Sequence, residues 1–293
     1  MKAIGFIGIG TMGRGMVSNL LKNDFQVIGF TRTKSKIEIS DKNFYMAHSS
    51  NEVSKKSDIV ITCLPSDDAI NQLIFSSKGF LDSMKNKILV DCGTTSVETT
   101  QKIADACKKL GVDFLDAPMT GSKIAAESGK ILFMVGGSQK ILESCNEIFM
   151  AMGYKIIRCG ENTSGQRAKI ALNITQAMVL ESYIEGIAIG LKNNLPLTSL
   201  LEIFENSGAK NNASTVKMPK IIKRDFEPHF KLELMNKDVG FAANEMKKLK
   251  LNLPLASQMQ KIYKEAMKNG WGEEDFSCVA KLIEEKSGVE FKE

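Results

Sequence analysis

The sequence contains few of the residues that build metal centres and disulfide frameworks. It has two histidines, His48 and His229, and six scattered cysteines without a CxxC pair. Structural zinc sites need closely spaced Cys and His ligands, and disulfide-rich domains are short and dense in cysteine, so the sequence argues against both. We predict no metal site and reduced thiols, as is typical of the cytosol.

Long apolar runs and long basic clusters are also missing. The opening residues, MKAIGF, have neither the apolar core nor the cleavage site of a secretory signal, so we predict a cytoplasmic protein that contacts no membrane. The net charge of +5 comes from 39 basic and 34 acidic residues mixed along the chain. This balance favours a solvated surface or a small anionic ligand over nucleic acid.

Alternating strand-like and helical patterns predict the fold. In the first half, seven apolar runs alternate with amphipathic stretches, which is typical of a doubly wound parallel sheet covered by helices. After residue 162 the pattern is helical, and the stretch 166–192 is apolar on nearly every face, which predicts a helix buried on all sides. We therefore predict an α/β domain over residues 1–162 and an all-α domain over residues 163–293.

The segment GFIGIGTMGRGM places glycines directly after the first apolar run. A GxGxxG pattern also fits a glycine-rich bend, but here a strand precedes it and a helical pattern follows. In a dinucleotide site Gly8 permits the turn, Gly10 lets the backbone approach the pyrophosphate, and Gly13 permits close packing of helix on strand. The amides of Thr11 and Met12 would begin the helix that faces the negative charge.

The end of the second strand indicates which dinucleotide is bound. NAD sites usually place an acidic residue there for the ribose 2′-OH, whereas this sequence reads GFTRTKSK, with no acid before Glu38. Arg32, aided by Thr31, Thr33 or Lys34, would bind a 2′-phosphate, and we predict a preference for NADPH over NADH. A solvated basic turn is the alternative.

Reduction of a carbonyl needs a proton donor, and the sequence offers few. His48 precedes any clear catalytic element, His229 has no neighbouring Arg and Asp, and no tyrosine has a lysine four residues later. Lys169 remains, on the first turns of the apolar helix, with Asn173 one turn further along the same face. Burial would make this lysine a better proton donor near neutral pH. A lysine that extends its ammonium to solvent is the alternative.

Four separated segments resemble the β-hydroxyacid dehydrogenase family, which includes 3-hydroxyisobutyrate dehydrogenase, tartronate semialdehyde reductase and the glyoxylate/succinic semialdehyde reductases. They are GFIGIGTMGRGM, DAPMTGSKIAAESGKILFMVGG, GQRAKIALN and NKDVGFAANE, and they span essentially the whole chain. The resemblance implies a Rossmann-type dinucleotide domain followed by an all-helical domain that mediates homodimers or homotetramers.

The resemblance also implies site residues. Lys169 matches the family's catalytic lysine, and Thr94 matches a threonine near the nicotinamide and the substrate. Gly93 replaces a serine of the family, which leaves Thr95 as a candidate substitute hydroxyl. The other matched positions are Asn173 after the lysine, the loop of Thr120, Gly121 and Ser122 for the substrate carboxylate, Leu64 and Pro65 beside the cofactor, Lys237 toward the cofactor, and Asp238 toward the substrate.

Finer features resemble the NADPH-linked glyoxylate/succinic semialdehyde reductases of that family: TGSK with Lys123, the TRT turn, PHFKLELMNKD and EDFSCV. In that subgroup a phenylalanine at the place of Phe230 lines the substrate pocket, whereas Lys123 is either a substrate contact or a solvated charge. We predict an NADPH-dependent reductase of small carboxylate-bearing aldehydes. The alternatives are a 3-hydroxyisobutyrate- or tartronate semialdehyde-type dehydrogenase and a non-catalytic NADP(H)-binding module.

Overall fold

The computed structural model describes residues 3–32, 39–76 and 79–292. The chain forms two compact units, Met1–Lys169 and Ile170–Glu293. In the described part of the chain, no helix combines the length and the apolar composition that crossing a bilayer requires.

A twisted sheet organises the first unit. Its parallel strands are β1 (Ile4–Ile7), β2 (Val27–Phe30), β3 (Phe44–Met46), β4 (Ile59–Thr62), β5 (Ile88–Asp91) and β6 (Asp113–Asp116). They lie in the order β3-β2-β1-β4-β5-β6, so the strand order reverses between β1 and β4, as in a doubly wound fold. Both β1 and β4 are buried along their whole length, as expected where helices cover both faces of a sheet.

Three further strands extend the sheet beyond β6: β7 (Met119–Thr120), β8 (Ile131–Gly136) and β9 (Gly153–Gly160). Strand β8 is antiparallel to β6 and β7, and β9 is parallel to β8. The sheet is therefore mixed at this edge rather than parallel throughout. The sequence pattern predicts neither β3 nor β7, because strands of three and two residues are too short to show alternation.

Helices cover both faces of the sheet in the first unit. They are α1 (Thr11–Lys22), α2 (Ser50–Lys56), α3 (Asp67–Phe75), α4 (Val97–Leu110), α5 (Ser122–Glu127), α6 (Gln139–Ser144) and α7 (Asn146–Met152). One apolar core includes Phe6 and Leu20 of β1 and α1, and a second includes Phe80 and Ile103. Serine hydroxyls cap the starts of α2, α3 and α4 by accepting backbone amide hydrogens.

The second unit is helical, as predicted. Its elements are α8 (Ser164–Lys192), which starts in the first unit, then α9 (Leu197–Glu205), α10 (Met218–Ile222), α11 (Leu232–Lys248), α12 (Pro254–Lys268) and α13 (Ala280–Ser287). Its apolar core includes Tyr183 of α8, Met235 of α11 and Tyr263 of α12.

The expectation that α8 is buried on all sides is wrong for this chain. A stripe of its residues is exposed, including Ala171, Thr175, Ser182 and Ile189, and Ile189 is 66% exposed. Residues that are four or seven positions apart share one face of a helix. This face carries small and polar side chains and one large apolar side chain, Ile189, which stays exposed in the single chain.

Candidate active site

The surroundings of the three glycines that follow β1 differ, and they show what a side chain would meet at each position. Gly8 has a φ of +101°, and a Cβ added there would collide with the carbonyl oxygen of Cys63. A Cβ at Gly13 would collide with the carbonyl oxygen of Gly8 and lie 2.9 Å from the Phe6 ring. At Gly10 a Cβ would meet no atom of the described residues within 4 Å, so this position faces open space.

This loop has the features that a pyrophosphate site needs. Helix α1 begins at Thr11, and its N-cap, Gly10, supplies no side chain to satisfy the first amides. The first turn carries no acidic residue that would repel an anion. The open side of Gly10 therefore leads to the positive end of a helix dipole, and the residues present fit a dinucleotide phosphate.

Arg32 lies two residues beyond the end of β2, on the sheet edge where the glycine loop follows β1. Ile7 pairs with Phe30, and the Gly8 amide donates to the Phe30 carbonyl at 3.0 Å. The Arg32 side chain is exposed, and Thr31 is half-buried. Thr33 and Lys34, which the sequence also suggests for this site, lie outside the described residues.

The loops after β4 and β5 meet beside the glycine loop. A Cβ at Gly8 would lie 3.1 Å from Leu64 Cδ2, and a Cβ at Gly93 would lie 2.8 Å from the Leu64 carbonyl oxygen. That second contact explains why glycine stands at 93, since a serine there would displace Leu64. Pro65 is exposed and Thr94 is half-buried.

Thr95 does not replace the serine hydroxyl that Gly93 lacks. Its side chain is fully buried, and its Oγ1 lies 2.9 Å from Thr100 Oγ1. The hydroxyl therefore belongs to the packing of α4 rather than to an open site.

The loop between β7 and α5 has an unusual backbone. Gly121 has a φ of +140° and Ser122 a φ of +60°, and Thr120 is half-buried at the end of β7. A left-handed serine is uncommon and is held in place by its surroundings. The Lys123 side chain is exposed, and its Nζ lies 4.0 Å from Glu127 Oε1. This favours the alternative in which Lys123 is a solvated surface charge.

The start of α8 is held by a buried carboxylate that the sequence analysis missed. Asp116, at the end of β6, accepts hydrogen bonds from the amides of Thr163 at 2.7 Å and Gln166 at 3.0 Å. Burial raises the pKa of Asp116 to about 6, against the lowering effect of these bonds. Lys169 follows one turn later and is only 7% exposed, so the alternative of a lysine extended into solvent is not observed.

Asn173 and Asp238 form a buried pair. Asn173 Nδ2 donates to Asp238 Oδ2 at 2.5 Å, and Lys237 Nζ lies 3.1 Å from Asp238 Oδ1. Asn173 Oδ1 is buried and has no hydrogen-bond partner in the described part of the chain. The amide orientation therefore leaves a buried acceptor available to a donor that the described residues do not supply.

Phe230 is positioned by a second buried carboxylate. Asp275 accepts hydrogen bonds from the amides of His229 and Phe230 and pairs with Lys217 at 2.8 Å. His229 therefore serves local structure through its backbone. Among residues 3–32, 39–76 and 79–292, no group of three or more His, Cys, Asp or Glu could hold a metal ion.

Comparison with protein-family models divides the chain as its pattern does. Residues 3–160 match the model described as the NAD binding domain of 6-phosphogluconate dehydrogenase. Residues 163–283 match the model described as NAD-binding of NADP-dependent 3-hydroxyisobutyrate dehydrogenase.

Similar proteins cover nearly the whole chain. An NAD-dependent L-serine dehydrogenase of Pseudomonas aeruginosa is 32% identical over 98% of this chain and 100% of its own length. The glyoxylate/succinic semialdehyde reductase 1 of Arabidopsis thaliana is 29% identical over 96% of this chain and 98% of its own. The structure of Mycobacterium tuberculosis 3-hydroxyisobutyrate dehydrogenase with L-serine has a TM-score of 0.87 at 26% identity, covering 97% of this chain and 99% of that one.

Proposed function

Because the chain belongs to the β-hydroxyacid dehydrogenase family of NAD(P)-dependent oxidoreductases, we propose that it is an NADPH-dependent reductase of small aldehydes that carry a carboxylate. Its expected substrates are succinic semialdehyde and glyoxylate, and its products are the corresponding hydroxy acids. The observation that carries the proposal is the almost fully buried Lys169, one helical turn before Asn173 on α8.

When bound, the reduced nicotinamide cofactor supplies the hydride. The open side of Gly10 and the uncapped start of α1 would receive the pyrophosphate, and Arg32 would bind the 2′-phosphate that distinguishes NADPH. The residues that would hold the cofactor are Gly8, Gly10, Thr11, Met12, Gly13, Thr31, Arg32, Leu64, Pro65, Thr94 and Lys237; Thr33 is proposed from sequence alone.

Lys169 would donate the proton to the carbonyl oxygen as negative charge develops there. Asp238 holds Asn173 Nδ2, so the Asn173 amide cannot rotate without losing a buried hydrogen bond. Its unpartnered Oδ1 would then accept the hydrogen of the hydroxyl group that reduction creates on the product. Lys169 would therefore supply the proton, and Asn173 would hold the hydroxyl that results.

The carboxylate of the substrate would bind at Thr120, Gly121 and Ser122. Two consecutive left-handed residues fix this loop, so its amides and hydroxyls are oriented before substrate arrives. Serine and succinic semialdehyde appear in the names of similar proteins, and both molecules carry a carboxylate. One methylene changes discrimination by about 1 to 3 kcal/mol, so a 3-hydroxyisobutyrate-type or tartronate semialdehyde-type substrate is the alternative.

We also propose a division of labour along the chain. Residues 1–162 would form the dinucleotide domain. Residues 163–293 would form the helical domain, which includes Phe230 as a proposed substrate contact and mediates homodimers or homotetramers. The match of one family model to residues 3–160 and of another to residues 163–283 supports this boundary.

Replacement of the proposed proton donor tests this function. Lys169→Ala should reduce kcat by about 10²-fold to 10⁴-fold, because the developing alkoxide loses its proton donor. The NADPH dissociation constant, measured by calorimetry, should change little. The matched control is Lys192→Ala on the same helix, whose Nζ donates to the Ser287 carbonyl at the surface.

Substantial residual turnover in Lys169→Ala would overturn the assignment of the acid. Tight NADPH binding by the wild type without turnover of any aldehyde would instead favour the non-catalytic module.

A further inference from the structure

Gln166 connects the start of α8 to the loop after β5. Its side chain is fully buried. Gln166 Nε2 donates to the Gly93 carbonyl at 2.8 Å, and its Oε1 accepts from the Thr95 amide at 3.2 Å. One carboxamide therefore holds the backbone on both sides of Thr94, as a neighbouring strand would.

The backbone of Gln166 is in turn bonded to the end of strand β6. Its backbone amide donates to Asp116 Oδ2 at 3.0 Å. The adjacent Gly165 packs so closely that a Cβ there would lie 2.7 Å from the Asp116 carbonyl oxygen. The first turn of α8 therefore cannot shift on β6 without breaking buried contacts, and Lys169 follows one turn later on the same helix.

The loop is also held on its other sides. The Gly93 amide donates to Asp91 Oδ1 at 3.1 Å, and the Ser96 amide donates to Asp67 Oδ1 at 2.9 Å. These bonds tie the loop to β5 and α3, whereas the bonds from Gln166 tie it to α8. Loss of Gln166 would therefore free the loop from α8 while its ties to the sheet remain.

We propose that Gln166 is a positioning residue that fixes the spacing between Thr94 and Lys169, and so between the substrate carbonyl and its acid. The inference rests on the proposed function, which places Thr94 beside the nicotinamide and makes Lys169 the proton donor. A displacement of about 1 Å at a reacting centre can cost 10²-fold in rate, so a side chain that sets this spacing controls kcat.

Gln166→Met tests the inference, because methionine keeps the length of the side chain and removes both hydrogen bonds. We expect kcat to fall about 10-fold to 100-fold, with the NADPH dissociation constant unchanged within about twofold. Hydrogen exchange of the Thr95 amide should accelerate, which is a readout independent of turnover. The matched control is Gln101→Met, the same substitution at an exposed position on α4, where only a bond to Asp105 is lost.

A second variant separates positioning from general stability. In Gln166→Glu the ionised carboxylate still accepts from Thr95 but repels the Gly93 carbonyl, and protonation restores the donor. The ratio of its kcat to that of the wild type should therefore rise as the pH is lowered. Asp116 accepts from the Gln166 amide, Asp91 accepts from the Gly93 amide, and Lys169 lies three residues along α8; all three titratable groups are present in both proteins.

The outcomes distinguish the inference from the proposed function. If the wild type reduces aldehydes and Lys169→Ala does not, normal kcat in Gln166→Met overturns the positioning role and leaves the function intact. Unchanged exchange at Thr95, or a Gln166→Glu ratio independent of pH, also overturns it. Absence of wild-type turnover overturns the function, and the inference with it.

Discussion

Glu181 on α8 is a carboxyl group without a partner in the core of the helical unit. It is 2% exposed, and neither carboxylate oxygen has a hydrogen-bond partner in the part of the chain that the structure describes. The Tyr263 hydroxyl, also buried there, lacks a partner too. Burial, reinforced by the charge of Glu185, raises the pKa of Glu181 to about 7 from its ordinary 4.5.

This pKa predicts that the helical unit loses stability as the pH rises. The folded state holds a proton on Glu181 between about pH 4.5 and about pH 7, where the unfolded chain has released it. Stability is therefore greatest below that window and falls through it, by about 3 kcal/mol in the limit of high pH. Urea unfolding of the whole protein at a series of pH values measures this loss.

Glu181→Gln supplies the control, because the amide has the same shape and cannot ionise. Its unfolding free energy should depend less on pH than that of the wild type, and it should be more stable above about pH 7. Asp116 adds a loss of the same sign at lower pH in both proteins, since burial raises its pKa to about 6. Equal pH dependence in the two proteins would contradict the assignment.

Arg32 should determine the preference for NADPH. Arg32→Ala should raise the KM for NADPH about 10-fold to 100-fold, since a hydrogen bond to a charged group contributes about 1.5 to 3 kcal/mol. NADH lacks the 2′-phosphate and serves as the internal control, so its KM should stay the same. An unchanged ratio of the two KM values would remove Arg32 from cofactor selection.

Local spacing predicts some of these residues and not others. The glycines and Lys169 are visible because strand, turn and helix follow one another in sequence, and their motifs occupy a few adjacent positions. Gln166 and Gly93 are 73 residues apart, and Asp116 is 50 residues from Gln166. These bonds depend on which strands become neighbours in the sheet, and the local spacing of residues carries no information about that. The one sequence signal near that link is the glutamine one turn before Lys169 in GQRAK.

At the scale of elements, α5 is held against α1. Asn19 Nδ2 donates to the Ala126 carbonyl at 2.7 Å, and a Cβ at Gly15 would lie 2.6 Å from Ala126. The helix that would face the pyrophosphate therefore supports the helix that follows the proposed carboxylate loop. Asn19 thus has a packing role that its sequence context does not suggest.

Asn19→Ala should lower the free energy of unfolding by about 1 to 3 kcal/mol, because the buried Ala126 carbonyl loses its donor. It should also raise the KM for aldehydes that bear a carboxylate, while the KM for NADPH changes little. Urea unfolding and steady-state kinetics measure the two effects. Asn23→Ala, at the exposed C-cap residue that follows α1, should cost less than Asn19→Ala, because the Asn23 side chain is exposed. Equal losses in both variants would contradict the argument.

The pattern of strands and helices follows from sequence where each element is long enough to show its period. All seven predicted apolar runs contain a strand, whereas β3 and β7 remain hidden because they are three and two residues long. The antiparallel pairing of β8 with β6 is not predictable from alternation, because both orientations produce the same pattern.

At the scale of the molecule, the exposed stripe on α8 predicts self-association. The helix as a whole is mostly apolar, yet Ile189 is 66% exposed in the single chain, on a face that also carries Ala171, Thr175 and Ser182. We expect light scattering to give the mass of a homodimer or homotetramer. Ile189→Glu should shift the mass toward the monomer, with Glu185→Gln as a control on the same face. A monomer in the wild type would contradict this assembly.

The most direct test of the central claim is the rate at which the wild type oxidises NADPH and NADH with four aldehydes. They are succinic semialdehyde, glyoxylate, tartronate semialdehyde and methylmalonate semialdehyde, followed by the absorbance of the reduced nicotinamide. We expect fast turnover of the first two with NADPH and slower turnover with NADH. Turnover only of the branched semialdehyde with NADH would contradict the proposed substrate class and the role of Arg32.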